Sequence, residues 1–153
     1  MTNIRSFDTG DLDACVSLFL DVFSRPPWND RWPSQDSARA YLRDVVGTPG
    51  FRGYVAHVNG RIVGACLGHV KRWWAGDEFM IDEMFVAPDI QRRGVGSAML
   101  KAAEADLRAS GVHRLTLLTA RRTVAEHFYR KQGFSAHRRM AFMWKAQPVT
   151  RAR

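Results

Sequence analysis

Seven residues, Gln91-Arg92-Arg93-Gly94-Val95-Gly96-Ser97, have the types and spacing most suited to chemistry in this 153-residue chain. Two glycines two apart let the backbone turn tightly and come close to a ligand. A helical pattern then runs from Gly94 to Ser110. Successive N–H groups at its start would converge on one point, with the helix dipole behind them, which makes a seat for an anion. Helix starts favour acidic residues, yet Gly94 to Leu100 contains none, and Arg92 and Arg93 stand just before the turn. A strand-to-helix turn that binds nothing would use the same glycines, and this motif alone does not separate the two readings.

The charge distribution favours a ligand. The chain carries a net charge of +8, which on its own invites a nucleic-acid reading. Residues 1–90, however, hold nine Lys/Arg against twelve Asp/Glu, whereas residues 91–153 hold fourteen against three. The basic excess begins at the glycine motif. A polyanion held by the C-terminal half accounts for this, and nucleic acid is disfavoured by the acidic N-terminal half. Cys15 and Cys66 are the two cysteines and read as reduced thiols, which fits a cytoplasmic protein. No Cys/His cluster has metal-ligand spacing, so no metal is expected. The first residues show no apolar signal region, and no apolar run reaches the roughly 18 residues of a membrane span.

The elements that must position these residues follow from periodicity. Length predicts one domain, over 1–147, with a basic tail at 148–153. Asn3–Phe7 reads as a strand. Leu12, Val16, Leu18, Phe19, Val22 and Phe23 form a helical apolar face that Arg25-Pro26-Pro27-Trp28 ends. Ser34 is a candidate cap for a second helix, with Tyr41 and Leu42 turned inward. The period then changes to two. Phe51–Val58 and Arg61–Val70 flank Asn59-Gly60, a strong hairpin signal, and Glu78–Ala87 is the third strand of a meander. After the helix ended by Gly111 come a strand over His113–Ala120, a helix opened by a Thr123…Glu126 capping box, and a last strand over Phe134–Lys145. The order β-α-α-β-β-β-α-β-α-β, with a parallel crossover at the glycine helix, predicts an α/β (α+β) fold. It has a mixed, mostly antiparallel twisted sheet of about six strands with helices on both faces.

This order, with its motifs, resembles the GCN5-related N-acetyltransferase (GNAT) superfamily. Gln91-Arg92-Arg93-Gly94-Val95-Gly96 matches the family's Gln/Arg-x-x-Gly-x-Gly/Ala motif, and Phe85-Val86-Ala87-Pro88 is similar to the strand and turn before it. Ala125-Glu-His-Phe128-Tyr129-Arg-Lys-Gln-Gly133-Phe134 is similar to the family's A-x-x-F-Y-x-x-x-G-F signature. The resemblance covers about residues 2–145. One position departs from the pattern: Arg122 stands where family members often carry an Asn that contacts the pantetheine arm.

The resemblance implies acetyl-CoA as co-substrate. Its pyrophosphate would sit on the backbone of Arg93–Gly96 with help from Ser97, Gln91 and Arg92, and its arm along Phe85, Val86 and Arg122. It also places the strand from Glu78 to Val86 beside the acyl group. An alkylammonium has a pKa near ~10, so transfer to an amine needs a group to take a proton. Glu83 is preferred for this, with Asp82 second. Adjacent strand residues point to opposite faces, so at most one of the two is expected to face the acceptor. Tyr129 would protonate the departing thiolate. Trp28, Trp32, Trp73 and Trp74 are expected near a cationic acceptor. His57 and His69 read as structural.

The function implied is acetyl transfer to a primary amine of a small, cationic molecule. An aminoacyl-tRNA acetyltransferase and a non-catalytic acyl-CoA sensor are the other classes weighed. A homodimer is compatible with an edge strand at Arg138–Lys145.

Overall fold

The computed structural model describes residues 1–149, so residues 150–153 of the expected basic tail lie outside the described residues. The chain divides into two compact units, Met1–Leu118 and Thr119–Arg153.

The first unit is built on one five-stranded sheet in the order β1-β2-β3-β4-β5. The strands are β1 (Asn3–Ser6), β2 (Phe51–Val58), β3 (Arg61–Lys71), β4 (Glu78–Val86) and β5 (Arg114–Leu117). The first four pair antiparallel and β5 joins β4 in parallel. The β2–β3 hairpin turns on Asn59 (φ 50°) and Gly60 (φ 76°), the two positive values that match the twist of a hairpin.

Helices α1 (Leu12–Phe23) and α2 (Gln35–Val46) pack on each other and on β2 to β4, and α3 (Val95–Ala109) crosses β1 to β4. Ser34 caps α2 through Ser37 N–H at 3.0 Å, as its sequence predicts. Gly111, at φ 86°, stands just beyond the α3 C-cap, Ser110. The apolar faces read from the sequence form the core: Cys15, Val16, Phe19 and Leu42 from the helices lie with Val55, Val63, Ala65, Leu67 and Phe85 from the sheet. Fully burying one such large side chain contributes about 1.5–3 kcal/mol, and this packing rather than helix propensity fixes α1 and α2 on the sheet.

The second unit holds α4 (Val124–Lys131). Thr123 caps it by accepting from Glu126 N–H at 3.2 Å. The expected box closes one residue early, because Glu126 Oε2 accepts from Arg122 N–H at 2.6 Å and not from Thr123. Gly133 (φ 95°) ends the helix, and Tyr129 lies between Phe128 (5.2 Å) and Phe134 (5.5 Å).

The strand expected over Phe134–Lys145 does not form among the described residues. Residues 137–140 are taken up in a turn, closed by Met140 N–H on the His137 carbonyl at 3.5 Å. An apolar run is only a local signal, and a strand needs a neighbouring backbone to hold it. Met140, Phe142, Met143 and Trp144 are apolar as those of a strand are, yet each is at least 70% exposed. The edge strand offered for a dimer is therefore not present in this form.

Candidate active site

One of two register shifts in the sheet falls at the two candidate carboxylates. Leu67 on β3 pairs with Glu83, but the next residue, Gly68, pairs with Ile81. Asp82 is thus an extra residue on β4, a bulge. It breaks the alternation that would send Asp82 and Glu83 to opposite faces. Before the bulge, Met80 shares the side of His69; after it, Glu83 and Phe85 share the side of Leu67 and Ala65. Leu67, Ala65 and Phe85 belong to the α1/α2 core, so Glu83 faces those helices. Asp82 Oδ2 lies 2.8 Å from Nδ1 of His69, which stands two residues from Leu67 and so on the same face. The expectation that Asp82 and Glu83, as neighbours, point to opposite faces is corrected: the bulge turns both toward this side.

Glu83 is held from α2. Tyr41 Oη donates to Glu83 Oε1 at 2.5 Å. The Tyr41 ring lies 5.3 Å from Trp32 and 5.9 Å from Phe19, and Phe19 in turn meets Phe85 at 5.7 Å. Burial pushes the Glu83 carboxyl above its usual range, with Asp82 and Asp30 adding to the rise and the Tyr41 hydrogen bond opposing it. Burial first, and then Glu83, pushes the Tyr41 phenol up as well, so it stays a donor. A partly buried carboxylate whose pKa is raised holds a proton more tightly than an exposed one, as a proton acceptor requires.

The aromatic candidates separate. Trp32 joins the Phe19–Tyr41 cluster, and Trp28 packs on Phe23 at 5.6 Å. Asp30, Arg31, Trp32 and Pro33 line a shallow pocket beside them. Trp73 and Trp74 sit after β3, 45% and 88% exposed, with Lys71 Nζ 4.2 Å above the Trp73 ring. The structure brings Trp32, Tyr41, Asp82 and Glu83 together around the bulge, and Asp30 is close enough to act on Glu83. Sequence reading took Tyr41 and His69 as packing residues. A tyrosine on the inward stripe of a helix was the available signal, since its hydroxyl needs a polar partner once buried.

The glycine motif follows β4 directly. The β4–β5 pairing ends at Ile81–Leu117, so from Asp82 to Val86 β4 pairs with β3 only among the described residues. Phe85 is 3% exposed, leaving its main chain rather than its ring to meet a ligand. Gln91 Nε2 donates to the Val86 carbonyl at 2.9 Å, tying the loop to the strand end. Asp89, the one acid close by, is held below the usual carboxylate range by its pairing with Arg61 at 2.9 and 3.0 Å.

The helix begins at Val95, one residue later than its pattern suggests, because Gly94 is its cap in the left-handed region (φ 83°). Arg92 is also left-handed (φ 64°), a conformation that non-glycine residues seldom hold. Whereas Ser34 and Thr123 cap α2 and α4 with side-chain oxygens, α3 has no side-chain cap and no acid in its first turn. Val95 is buried, and Gly96 and Ser97 are partly exposed. Among the described residues neither Arg92 nor Arg93 forms a salt bridge. This loop fits a phosphate-bearing group: it offers helix-start N–H groups and arginines, and no negative charge of its own. Arg122 (φ 61°) and Tyr129 lie in the second unit, where Arg122 N–H is bound to Glu126. No cluster of three or more metal-ligating residues occurs among the described residues, and no helix among them is long and apolar enough to cross a membrane.

Known proteins share this architecture. The model of the acetyltransferase (GNAT) family matches residues 13–134. Among curated proteins none matches the sequence. AAC(6')-Iy, solved with the bisubstrate analogue CoA-S-monomethyl-acetylneamine, superposes with a TM-score of 0.74 at 17% identity, over 96% of this chain and 99% of that one. An aminoglycoside acetyltransferase from an uncultured soil metagenomic sample, in complex with sisomicin, gives 0.75 at 19% identity, over 96% and 97%. A transcriptional regulator from Bacillus halodurans C-125 gives 0.76 at 21% identity, over 95% and 100%. At these identities the likeness is one of fold.

Proposed function

The chain belongs to the GNAT family of acetyltransferases, and from that premise we propose that it moves an acetyl group from acetyl-CoA directly to the primary amine of a small, cationic acceptor. The observation that carries this reading is the bulge at Asp82, which turns two carboxylates to one face beside Tyr41 and Trp32. Acetyl-CoA supplies the acyl group as a thioester, already activated toward amines. Residues 91–97 fit its pyrophosphate through the left-handed turn and the start of α3. Phe85 and Val86, at the end of β4 that pairs on one side only, suit its arm, with Arg122 assigned there by resemblance alone.

The residues of the chain do the rest. Glu83 takes a proton from the ammonium at its carboxylate, and its partly buried position raises its affinity for that proton. Asp82, paired with His69, adds a second carboxyl group to the same face, which suits a cationic acceptor. Trp32 and Trp28 offer aromatic faces to a cationic acceptor, with Trp73 and Trp74 as outer candidates. Tyr129 carries a proton at Oη, which suits a hydrogen bond to a sulfur leaving group. Neighbours in fold described as aminoglycoside acetyltransferases are consistent with a small polycationic acceptor.

The test is a panel of small amines, with aminoacyl-tRNA as a separate arm, read by free thiol released from acetyl-CoA. Release with small cationic amines that is lost in Glu83→Gln is the expected result. Release with aminoacyl-tRNA alone, or with no amine at all, overturns the proposal.

A further inference from the structure

Glu83 is engaged by a phenol from another element, whereas its neighbour Asp82 meets an imidazole. Tyr41 Oη reaches it from α2 at 2.5 Å. That hydroxyl is not free to wander, because the ring is set against Trp32 at 5.3 Å and Phe19 at 5.9 Å, and Trp32 and Phe19 meet at 5.5 Å. One Glu83 oxygen is committed to this bond and the other, Oε2, is left for the acceptor.

We propose that Tyr41 is a positioning residue for acetyl transfer: its hydroxyl, locked by the Phe19–Trp32 stack, fixes the Glu83 carboxylate with Oε2 toward the acceptor. This rests on Glu83 as the proton acceptor. The other charged or titratable groups acting on this carboxylate are Asp82 beside it, paired with His69 of β3, and Asp30 from the segment before α2. Both acids disfavour a second negative charge, as burial does. Tyr41 is therefore the group here that opposes protonation. Without it the ionised fraction falls at a given pH, and the carboxylate is free to rotate.

Tyr41→Phe keeps the ring and removes only the bond. With the full chain carrying ¹³C-labelled glutamate, and Glu83→Gln used to assign the signal, the Glu83 carboxyl titration is expected to move to higher pH in Tyr41→Phe. In the amine panel the same variant is expected to lose about tenfold in kcat/KM at acidic pH. Activity should recover in part as pH rises, the loss from the freed carboxylate persisting, with KM for acetyl-CoA unchanged. A titration that stays in place, or a loss of rate equal at every pH, overturns the role of Tyr41. Full activity of Glu83→Gln instead overturns the reading of Glu83 itself, and the titration then still reports on the bond. The two failures are thus distinct.

Discussion

His69 on β3 and Asp82 on β4 meet at 2.8 Å, Nδ1 to Oδ2, and they meet because Asp82 is the residue that the ladder does not pair. The same irregularity aims Glu83 at Tyr41. Two neighbouring carboxylates thus share one face but differ in partner, imidazole for one and phenol for the other. This difference predicts unequal roles. Glu83→Gln is expected to lower kcat about 10²–10⁴-fold, the usual loss of a general base. Asp82→Asn keeps a hydrogen-bonding partner for His69 and removes only charge, so it should raise KM for a cationic amine more than it lowers kcat. Steady-state thiol-release kinetics on both variants check this, and equal losses in kcat would contradict it.

The bulge depends on a missing side chain. Gly68 lies opposite Ile81 at the register shift, and a Cβ there would stand 2.1 Å from the Met80 carbonyl oxygen and 2.7 Å from Phe79 Cζ. Backbone cannot step aside as a flexible side-chain end can. Gly68→Ala should therefore destabilise by about 3 kcal/mol, the upper end for overpacking. It should also weaken catalysis by disturbing Asp82 and Glu83. Urea unfolding of the variant measures the first effect, and parental stability would show that β3 and β4 can separate without cost.

Much of the fold was legible in the sequence because its signals are local. Asn59-Gly60 named its turn, Ser34 its cap, and the glycine motif its position after β4. The bulge was not legible, since nothing in Ile81-Asp82-Glu83 announces an extra residue. It appears only when β4 is set against β3 with Gly68 opposite. The same holds for Tyr41 and Glu83, 42 residues apart, whose meeting depends on how α2 lies on the sheet. The expected strand at Phe134–Lys145 is the converse case: its apolar run is a local signal, but a turn takes up 137–140 and the segment joins no strand among the described residues. The trio Phe128–Tyr129–Phe134 was readable as a signature, whereas the loss of the ideal box at Thr123 came from the left-handed Arg122, whose N–H took the Glu126 oxygen.

Gly94 offers a contrast with Gly68. A Cβ at Gly94 meets nothing within 4 Å, so there is no clash to relieve. Its φ of 83° is nonetheless one that a side chain disfavours by about 1–2 kcal/mol. Gly94→Ala should thus lose roughly that much stability, or relax the turn and misdirect the N–H groups at the start of α3. In either case binding of coenzyme A should weaken while the fold persists. Calorimetric titration with coenzyme A, beside a melting curve, separates the two effects. Unchanged affinity would remove this turn from the binding site.

The N-terminal turn carries a pH-dependent part of the stability. Asp11 is buried and receives two bonds of 2.8 Å from Arg5 and one of 2.7 Å from Asp8 N–H. The Arg5 hydrogen bond, with Asp8 N–H adding to it, outweighs burial and holds its carboxyl below the usual range. A lowered folded pKa means that the unfolded chain binds the proton first. The contribution is therefore complete above the unfolded value near ~3.9 and is lost as pH falls through the lower folded value. Charge-assisted bonds of this kind contribute about 1.5–3 kcal/mol each at most, and the half-exposed Arg5 places the net effect of Asp11→Asn nearer to 1–2 kcal/mol at neutral pH. The difference between parent and variant should hold constant from pH 7 to about 5 and shrink below pH 4. Denaturant unfolding across that range measures it, and a difference that grows on acidification would show that Arg5 does not stabilise the ionised carboxylate.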